Sequence, residues 1–532
     1  MLALTRLARP ALGLLLASTL VAGCSGGGDG GSGGDTGAGQ DLTVGWASPP
    51  DVLNPATTGA RSVGPLVQTM FETLVWLTPE LEVTPGLASK WTTSPDGKKY
   101  TFTLKENVKF HDGTPFNAQA VVDNVDYITD KDTQSSISLG LLGTCLDAKA
   151  DSEFVVSFSC SAPYAPFLAQ IGEPYLAMQS PTAIEKYGKD LGQHPTGTGP
   201  FSFVSYAPNQ SLVVKKNPDY QWAPAAAGQT GPAKLDQITF NFIPNDQSRV
   251  GALQSGQAQL IQATPGVYYK QFAGTFSQSE NPITGLGIFA PINAGEWPTS
   301  ELEVRQAIMY AVDRSALIQF ASAGVFPARD VPLAKEMLGY DESLSGMYPH
   351  DPAKAEQVLT DGGWTKDASG WTKDGKKLSL KLTAISTSPT YPLLAQAIQG
   401  DLQKIGIEAN VEQMGAAAWT DTNVKGDMNL TPLTYVAVDP DALSFWFKPG
   451  SFYNWSHYTN DELTALLNKG KSTTDPDERK KIYHEAQKII LEQAVLMPIH
   501  DSQDLLTYSK KLTGLTYSGG GFESFYGASF TS

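Results

Sequence analysis

The side chains from which this 532-residue chain would build chemistry are three cysteines, six histidines, scattered acid pairs and one dense aromatic run. His111, His194, His350, His457, His484 and His500 lie far apart and share no metal-ligand spacing. No phosphate-cradling Gly-x-x-x-x-Gly-Lys-Ser/Thr loop and no His-Glu-x-x-His helix is present. Asp439 and Asp441 form an acid pair, but a chain with 54 Asp and Glu contains such pairs by chance. The expectation is a protein without a catalytic group, metal or cofactor, and a secreted hydrolase is the competing class. The aromatic run, residues 445–458, reads FWFKPGSFYNWSHY. It is too polar and too interrupted by Pro449 and Gly450 for a simple core strand, and aromatic faces with polar edges suit recognition of a solute in a cleft between domains.

The cysteines divide by context. Arg6 and Arg9 precede an apolar stretch, Ala11 to Ala22, that ends in Val21-Ala22-Gly23-Cys24. A charged start, a short apolar core and small residues before the end make a signal peptide, residues 1–23, whose stretch of twelve apolar or small residues is too short to span about 30 Å of hydrocarbon as a helix. The ending resembles a bacterial lipobox, in which Cys24 carries lipid. Residues 24–40 then hold no apolar side chain larger than Ala after the cysteine and read as a flexible tether. Cys145 and Cys160 remain. Outside a reducing compartment they are a disulfide candidate, because a polar turn and the alternation of Phe154, Val156 and Phe158 predict a hairpin that brings them together. Closing so short a loop is worth about 3 kcal/mol, and two buried thiols are the alternative.

Positioning falls to a large, loop-rich body. At roughly 100 to 200 residues per domain the length allows two to four domains, and 10 Trp, 20 Tyr and 22 Phe supply their cores. With 51 Gly and 35 Pro, turns are frequent. A formal charge of -16 disfavours nucleic acid as a partner. Leu42–Trp46 reads as a strand. Residues 66–77 carry a helix-compatible pattern, Lys99–Lys105 alternates as a half-buried strand, and Asn117 caps a helix with Val121, Val125 and Ile128. A hairpin is predicted over 201–216 and a strand over 238–243, with Asp246 capping a short helix. One long helix is predicted from Leu302 to about Phe320. Asp351-Pro352 and Asp475-Pro476 each place a cap before a proline at the first helical position. The twice-occurring GWTKD of residues 363–374 is a turn-rich hairpin. Strand, helix and strand over 378–411 predict an α/β domain with partly parallel sheet, while the hairpins between 100 and 160 read as a separate subdomain.

Several ordered motifs carry a resemblance across residues 41–532. They are Met70-Phe71-Glu72-Thr73-Leu74-Val75, Pro85 to Trp91, the run SPDGKKYTFTLKENVKFHDGT of residues 94–114, Thr198-Gly199-Pro200-Phe201, and Val304 to Arg314. Together they resemble the family-5 extracellular solute-binding proteins, the dipeptide and oligopeptide receptors of ABC importers. The resemblance implies an α/β, two-lobed, periplasmic-binding-protein-like fold with an inserted third subdomain and a ligand cleft between the lobes. It implies lobe one over 41–288 with the return segment 499–532, lobe two over 289–498, and the insert over about 65–195. It also implies a monomer on a lipid anchor at the extracytoplasmic face of the cell membrane, handing a small solute, peptide or peptide-like, to an ABC permease with cytoplasmic ATPase partners. Nickel and haem carriers occur in the family, but the histidine spacing gives no support for either.

On that resemblance the ligand-binding candidates are Trp46, at the end of the first body strand, Tyr435 and Asp439, beside the second-lobe recognition segment, and Trp419 and Trp446 from adjoining stretches. Peptide-binding relatives often place an aspartate four residues before the proline of an acidic-residue–proline pair, where it meets the peptide amine. Here that position is Val436, before Asp439-Pro440, and valine accepts no hydrogen bond. The departure leaves a sugar, a modified peptide or another polar solute open. For Asp439 the competing role is a cap or turn before Pro440.

Overall fold

The computed structural model describes residues 39–388 and 390–531. The predicted leader and Cys24 lie outside the described residues. Two long antiparallel strands, Ser277–Pro291 and Leu496–Tyr508, run through the body and belong to an eight-stranded sheet. The sheet order is Leu433–Val436, Ser277–Pro291, Leu496–Tyr508, Leu260–Ile261, Asp41–Trp46, Gln237–Phe242, Ser211–Lys216 and Phe201–Ala207. Asp41–Trp46 is parallel to both its neighbours, and the other pairs are antiparallel. Alternation drives these strands: Leu42, Val44 and Trp46, with Ile238 and Phe240 beside them, bury one face in a core shared with Leu212, Val214 and Phe525.

The long strands pass from this core to a second one. Ser277 to Ile283 pairs with Ser502 to Tyr508, and the register then shifts before Ile288. Beyond the shift, Ile288 and Ala290 join one cluster of the second core and Leu286 and Phe289 another. Gly285 and Gly287 stand in the irregular stretch with φ of 122° and 64°. A Cβ at Gly285 would meet the Tyr435 carbonyl oxygen at 2.3 Å, and one at Gly287 the His500 carbonyl oxygen at 2.6 Å. Glycine is therefore required here both for backbone conformation and for the close approach of neighbouring chain.

The second core is α/β. Ser379–Ile385 and Glu408–Met414 are parallel, and the helix Tyr391–Lys404 connects them and packs on them, as the sequence pattern predicts. The predicted helix from Leu302 to Phe320 is two helices, Leu302–Ala311 and Arg314–Ser322. Val312 is extended, and the Asp313 carboxylate accepts the Ala316 N–H at 3.1 Å, so a cap inside the apolar pattern ends one helix and starts the next. Asp351 and Asp475 cap their helices as expected, accepting from Lys354 and Glu478 N–H groups. Asn245, rather than Asp246, caps Asp246–Gln254, because the Asp246 carboxylate is paired with the buried Arg249 guanidinium at 2.7 Å. The apolar residues 66–77 form a short helix, Gly64–Met70, and a strand, Val75–Leu77, since the chain turns extended at Phe71.

A four-stranded antiparallel sheet makes a third core. Its order is Ala88–Thr93, Lys99–Leu104, Val155–Ser159 and Asp147–Ser152. Tyr100, Phe102 and Leu104 pack with Val156, Phe158 and Phe167 and against the helix Ala118–Thr129. Cys145 and Cys160 are disulfide-bonded at the open end of the hairpin, just beyond the Asp147 and Ser159 pair. Glu72 ties this region to the first core: its buried carboxylate accepts from Tyr220 Oη at 2.7 Å, Thr198 Oγ1 at 2.8 Å and Trp222 Nε1 at 2.8 Å. Burial still pushes its pKa up to about 7, against those three donors and the nearby Lys105 ammonium.

Candidate functional site

A cavity of about 350 Å³ lies where the three cores meet. Gly59 and Arg61 line it from the loop after the first strand, Ser136, Ile137, Gly140, Leu141, Glu173 and Tyr175 from the segments around the four-stranded sheet, and Thr434, Tyr435, Val436, Phe445 and Tyr453 from the second core. A larger hollow of about 550 Å³ opens near Tyr127 and Lys189. Its charged residues, Asp130, Asp132 and Lys189, are exposed and hydrated, so it offers a solute little beyond what water offers. The smaller cavity combines aromatic walls with charged groups withdrawn from solvent, and it is the candidate site.

Its aromatic wall is set by strand register. Tyr435 pairs opposite Gly287 and Val436 opposite Gly285, so the irregular stretch of the long strand carries the wall. Phe445, on the helix Ala442–Phe447, packs beside Tyr435 with ring centroids 6.2 Å apart, and Tyr453 lies equally close. Trp446 stands behind them, 5.6 Å from Tyr435 and edge-on to Phe289 at 4.9 Å. This backing fixes the ring orientations without reaching the cavity.

The charged side is held differently. Arg61 begins a single 3-10 turn, Arg61–Val63. Its Nη2 donates to the carbonyl oxygens of Gly520 at 3.0 Å and Gly521 at 2.7 Å, its Nη1 lies 3.7 Å from the Asp504 carboxylate, and the guanidinium sits over the Phe522 ring. The carboxyl-terminal turn thus immobilises the cation from behind. Glu173 precedes the turn Pro174–Leu176 and is 5% exposed. Burial pushes its carboxyl up to about 7, with the Arg61 charge acting in the opposite direction. Burial also raises the Tyr435 and Tyr175 phenols, and the Glu173 charge adds to both shifts. Both rings are therefore neutral hydrogen-bonding groups at physiological pH.

Of the five ligand candidates read from the sequence, Tyr435 lines the cavity and the other four do not. Trp46 is fully buried beneath the sheet, edge-on to Phe240, and its Nε1 donates to the Ser62 carbonyl at 3.2 Å, which braces the turn bearing Arg61. Trp419 donates from Nε1 to Thr431 Oγ1 at 2.9 Å and packs edge-on against Trp455. Trp446 is the backing residue described above. Asp439 is buried in a bidentate pair with Arg479, both hydrogen bonds 2.7 Å long. Large indoles maximise buried area and so move inward, while the carboxylate is consumed by a cation from another helix. Val436 does line the cavity, so the position without an amine acceptor presents an apolar surface to it.

Sequence reading passed over Arg61, Glu173 and Tyr175. Glu173 did leave a signal: it is the single charge in the apolar run AQIGEPYLAM of residues 169–178. Arg61 left only a lone cation in a polar loop, and nothing local distinguishes that from a surface residue. Among the described residues no group of three or more His, Cys, Asp or Glu side chains is arranged to hold a metal ion, and no helix is long and apolar enough to cross a membrane.

The model of the bacterial extracellular solute-binding proteins, family 5 Middle, matches residues 82–457. The glutathione-binding protein GsiB of Salmonella typhi is 29% identical over 504 residues, covering 90% of this chain and 92% of that protein. GsiB of Escherichia coli O157:H7 is 28% identical over the same length and coverage. Among solved structures, the fold is similar to NikA from Brucella suis in complex with Fe(III)-EDTA, with a TM-score of 0.81 at 24% identity, covering 92% of this chain and 100% of that one. It is also similar to DppA from Helicobacter pylori in complex with the peptide STSA, with a TM-score of 0.75 at 24% identity, covering 93% and 98%. The family match over most of the body agrees with the two-lobed α/β fold, and the chain belongs to the bacterial extracellular solute-binding proteins of family 5, which are transport receptors and not enzymes.

Proposed function

We propose that this chain captures a small peptide-like solute in the cavity between Arg61, Glu173 and the Tyr435 wall and delivers it to an ABC importer. The observation that carries the reading is the convergence itself: segments of three separate cores line one partly open cavity that holds the half-buried Arg61 and the buried Glu173. Preorganised groups of this kind bind without the cost of ordering them. The glutathione-binding relatives favour a short peptide or peptide derivative as the solute. A sugar or other polar solute is the second reading, favoured by the aromatic faces of Tyr435, Phe445 and Tyr453.

The domain reading that accompanies this function takes lobe one as 41–288 with 499–532, lobe two as 289–498, and the insert as about 65–195. The two long strands would be the hinge on which the lobes close, with Gly285 and Gly287 absorbing the backbone change. The receptor acts as a monomer, tethered through lipid on Cys24 with its body on the extracytoplasmic side, and its partners are a permease and the ATPases behind it.

Mass spectrometry of small molecules released by denaturing the exported protein tests the function. A peptide or peptide derivative that rebinds the emptied protein with one-to-one stoichiometry is the expected result. A sugar would establish the second reading, and turnover of the released molecule by the protein would overturn the receptor reading altogether.

A further inference from the structure

The only acidic side chain lining the cavity is Glu173, and within the described residues its carboxylate has no hydrogen-bond partner and no cation within ion-pair distance. At 5% exposure it is as buried as Asp439, yet Asp439 has a bidentate arginine and Glu173 has nothing comparable. Arg61 does not fill that role. Its Nη2 is spent on two carbonyl oxygens and its Nη1 lies 3.7 Å from the Asp504 carboxylate, and neither nitrogen bonds Glu173. A carboxylate so little exposed and without a protein partner is poorly solvated, and a cation arriving with the solute would offset that cost. The opposite wall suits the same visitor. The rings of Phe445 and Tyr453 each lie 6.2 Å from that of Tyr435, and aromatic faces attract a cation in a partly dry site.

We propose that Glu173 is the cation-recognising residue of this cavity, so that the bound solute carries an ammonium or guanidinium group that meets the Glu173 carboxylate against the aromatic wall. The inference rests on the receptor reading and specifies its solute class. It places the recognition of positive charge on the segment preceding Pro174 and not on the strand that carries Val436.

A pH signature accompanies it. Glu173 is pushed up to about 7 by burial, while Arg61 favours its ionised form; Tyr175 and Tyr435 face it as neutral phenols, with Asp51 and Asp441 acting on those rings. A cationic solute binds the ionised carboxylate. Its affinity therefore falls as the pH drops below about 7, approaching about tenfold per pH unit.

Calorimetry on the exported, solute-free protein tests the proposal with a panel of free di- and tripeptides including glutathione, their N-acetylated counterparts, arginine, putrescine and neutral disaccharides. The expected result is that every binder carries a cationic group. Acetylation of that group, or Glu173→Gln, should weaken binding about 10- to 100-fold, the range for a charge-assisted contact, and the pH dependence should vanish in the variant. Should Glu173→Gln fail to fold, the acetylated probes and the pH profile of the natural protein decide alone. Equal affinity for free and acetylated forms, or binders drawn solely from neutral or anionic solutes, overturns the proposal and leaves the receptor standing. Absence of binding by every class, together with no copurifying solute, overturns the receptor reading and this inference with it.

Discussion

Asp439 accepts two hydrogen bonds from Arg479, and both side chains are buried between the helix Pro476–Glu492 and the segment after Val436. Arg479 also donates from Nε to the Gly470 carbonyl, so the pair fastens two helices behind the aromatic wall. Removing one member leaves the other as an uncompensated buried charge. Asp439→Ala is expected to lower stability by about 3 to 5 kcal/mol in urea unfolding. An affinity loss of similar size in a protein of unchanged stability would instead place Asp439 at the solute. Glu72 makes the same point without a cation, since it satisfies three neutral donors and joins the first and third cores through them. At this scale charge type was readable from the sequence, but the partner of each charge was not. Asp439 and Arg479 are forty positions apart, and nothing local distinguishes their carboxylate and guanidinium from surface groups.

At the scale of elements, the hairpin of Asp147–Ser152 and Val155–Ser159 shows how local pattern and covalent chemistry cooperate. Its outer strand is largely exposed and touches the core only through the small side chains of Ala148 and Ala150, while the inner strand buries Val156 and Phe158 there. The Cys145–Cys160 bond clamps the end where the exposed strand would fray. The double variant Cys145→Ser, Cys160→Ser is expected to lose about 3 kcal/mol, with the loss seen first as faster amide exchange in the strands flanking the bond. Unchanged unfolding and exchange would show that the strand pairing suffices. The hairpin, the caps at Asn117, Asp351 and Asp475, and the parallel pair around Tyr391–Lys404 were all legible, because each follows from spacing within a few residues. The break at Asp313 was not read, because the apolar period continues through it and only the cap chemistry interrupts the helix.

At the scale of the whole molecule, two strands carry the traffic between cores, and the cavity lies beside the irregular stretch they share. Closure about that stretch would bring Tyr435 toward Arg61 and Glu173 and exclude water from the solute, which strengthens every polar contact made there. A membrane attachment would keep the proposed receptor near its permease. The proposed attachment is lipid on Cys24, whose thiol forms the covalent link while acyl chains supply the membrane affinity. Cys24→Ser is therefore expected to shift the protein from the membrane to the soluble fraction. Intact mass of the natural protein should show an acylated first residue, and an unmodified terminus at another position would reject the anchor.

What local patterning decided alone was the class of molecule: the strands and helices of an α/β body, the pairing of two cysteines, and motifs specific enough to imply a family. These depend on residue spacing and on short segments of chain, which a sequence states directly. The lining of the cavity was decided by tertiary structure. Trp46, Trp419 and Trp446 have the right chemistry for a solute, but their large apolar surfaces are buried away from the candidate cavity, where Trp46 braces the Arg61 turn and Trp446 backs Tyr435. Arg61 and Glu173 are 112 positions apart, and packing of separate cores is what turns a loop arginine and an isolated glutamate into opposing charges on one cavity. Hydrophobic burial is indifferent to order along the chain, and so the contacts that make the site are the ones the linear pattern leaves unspecified.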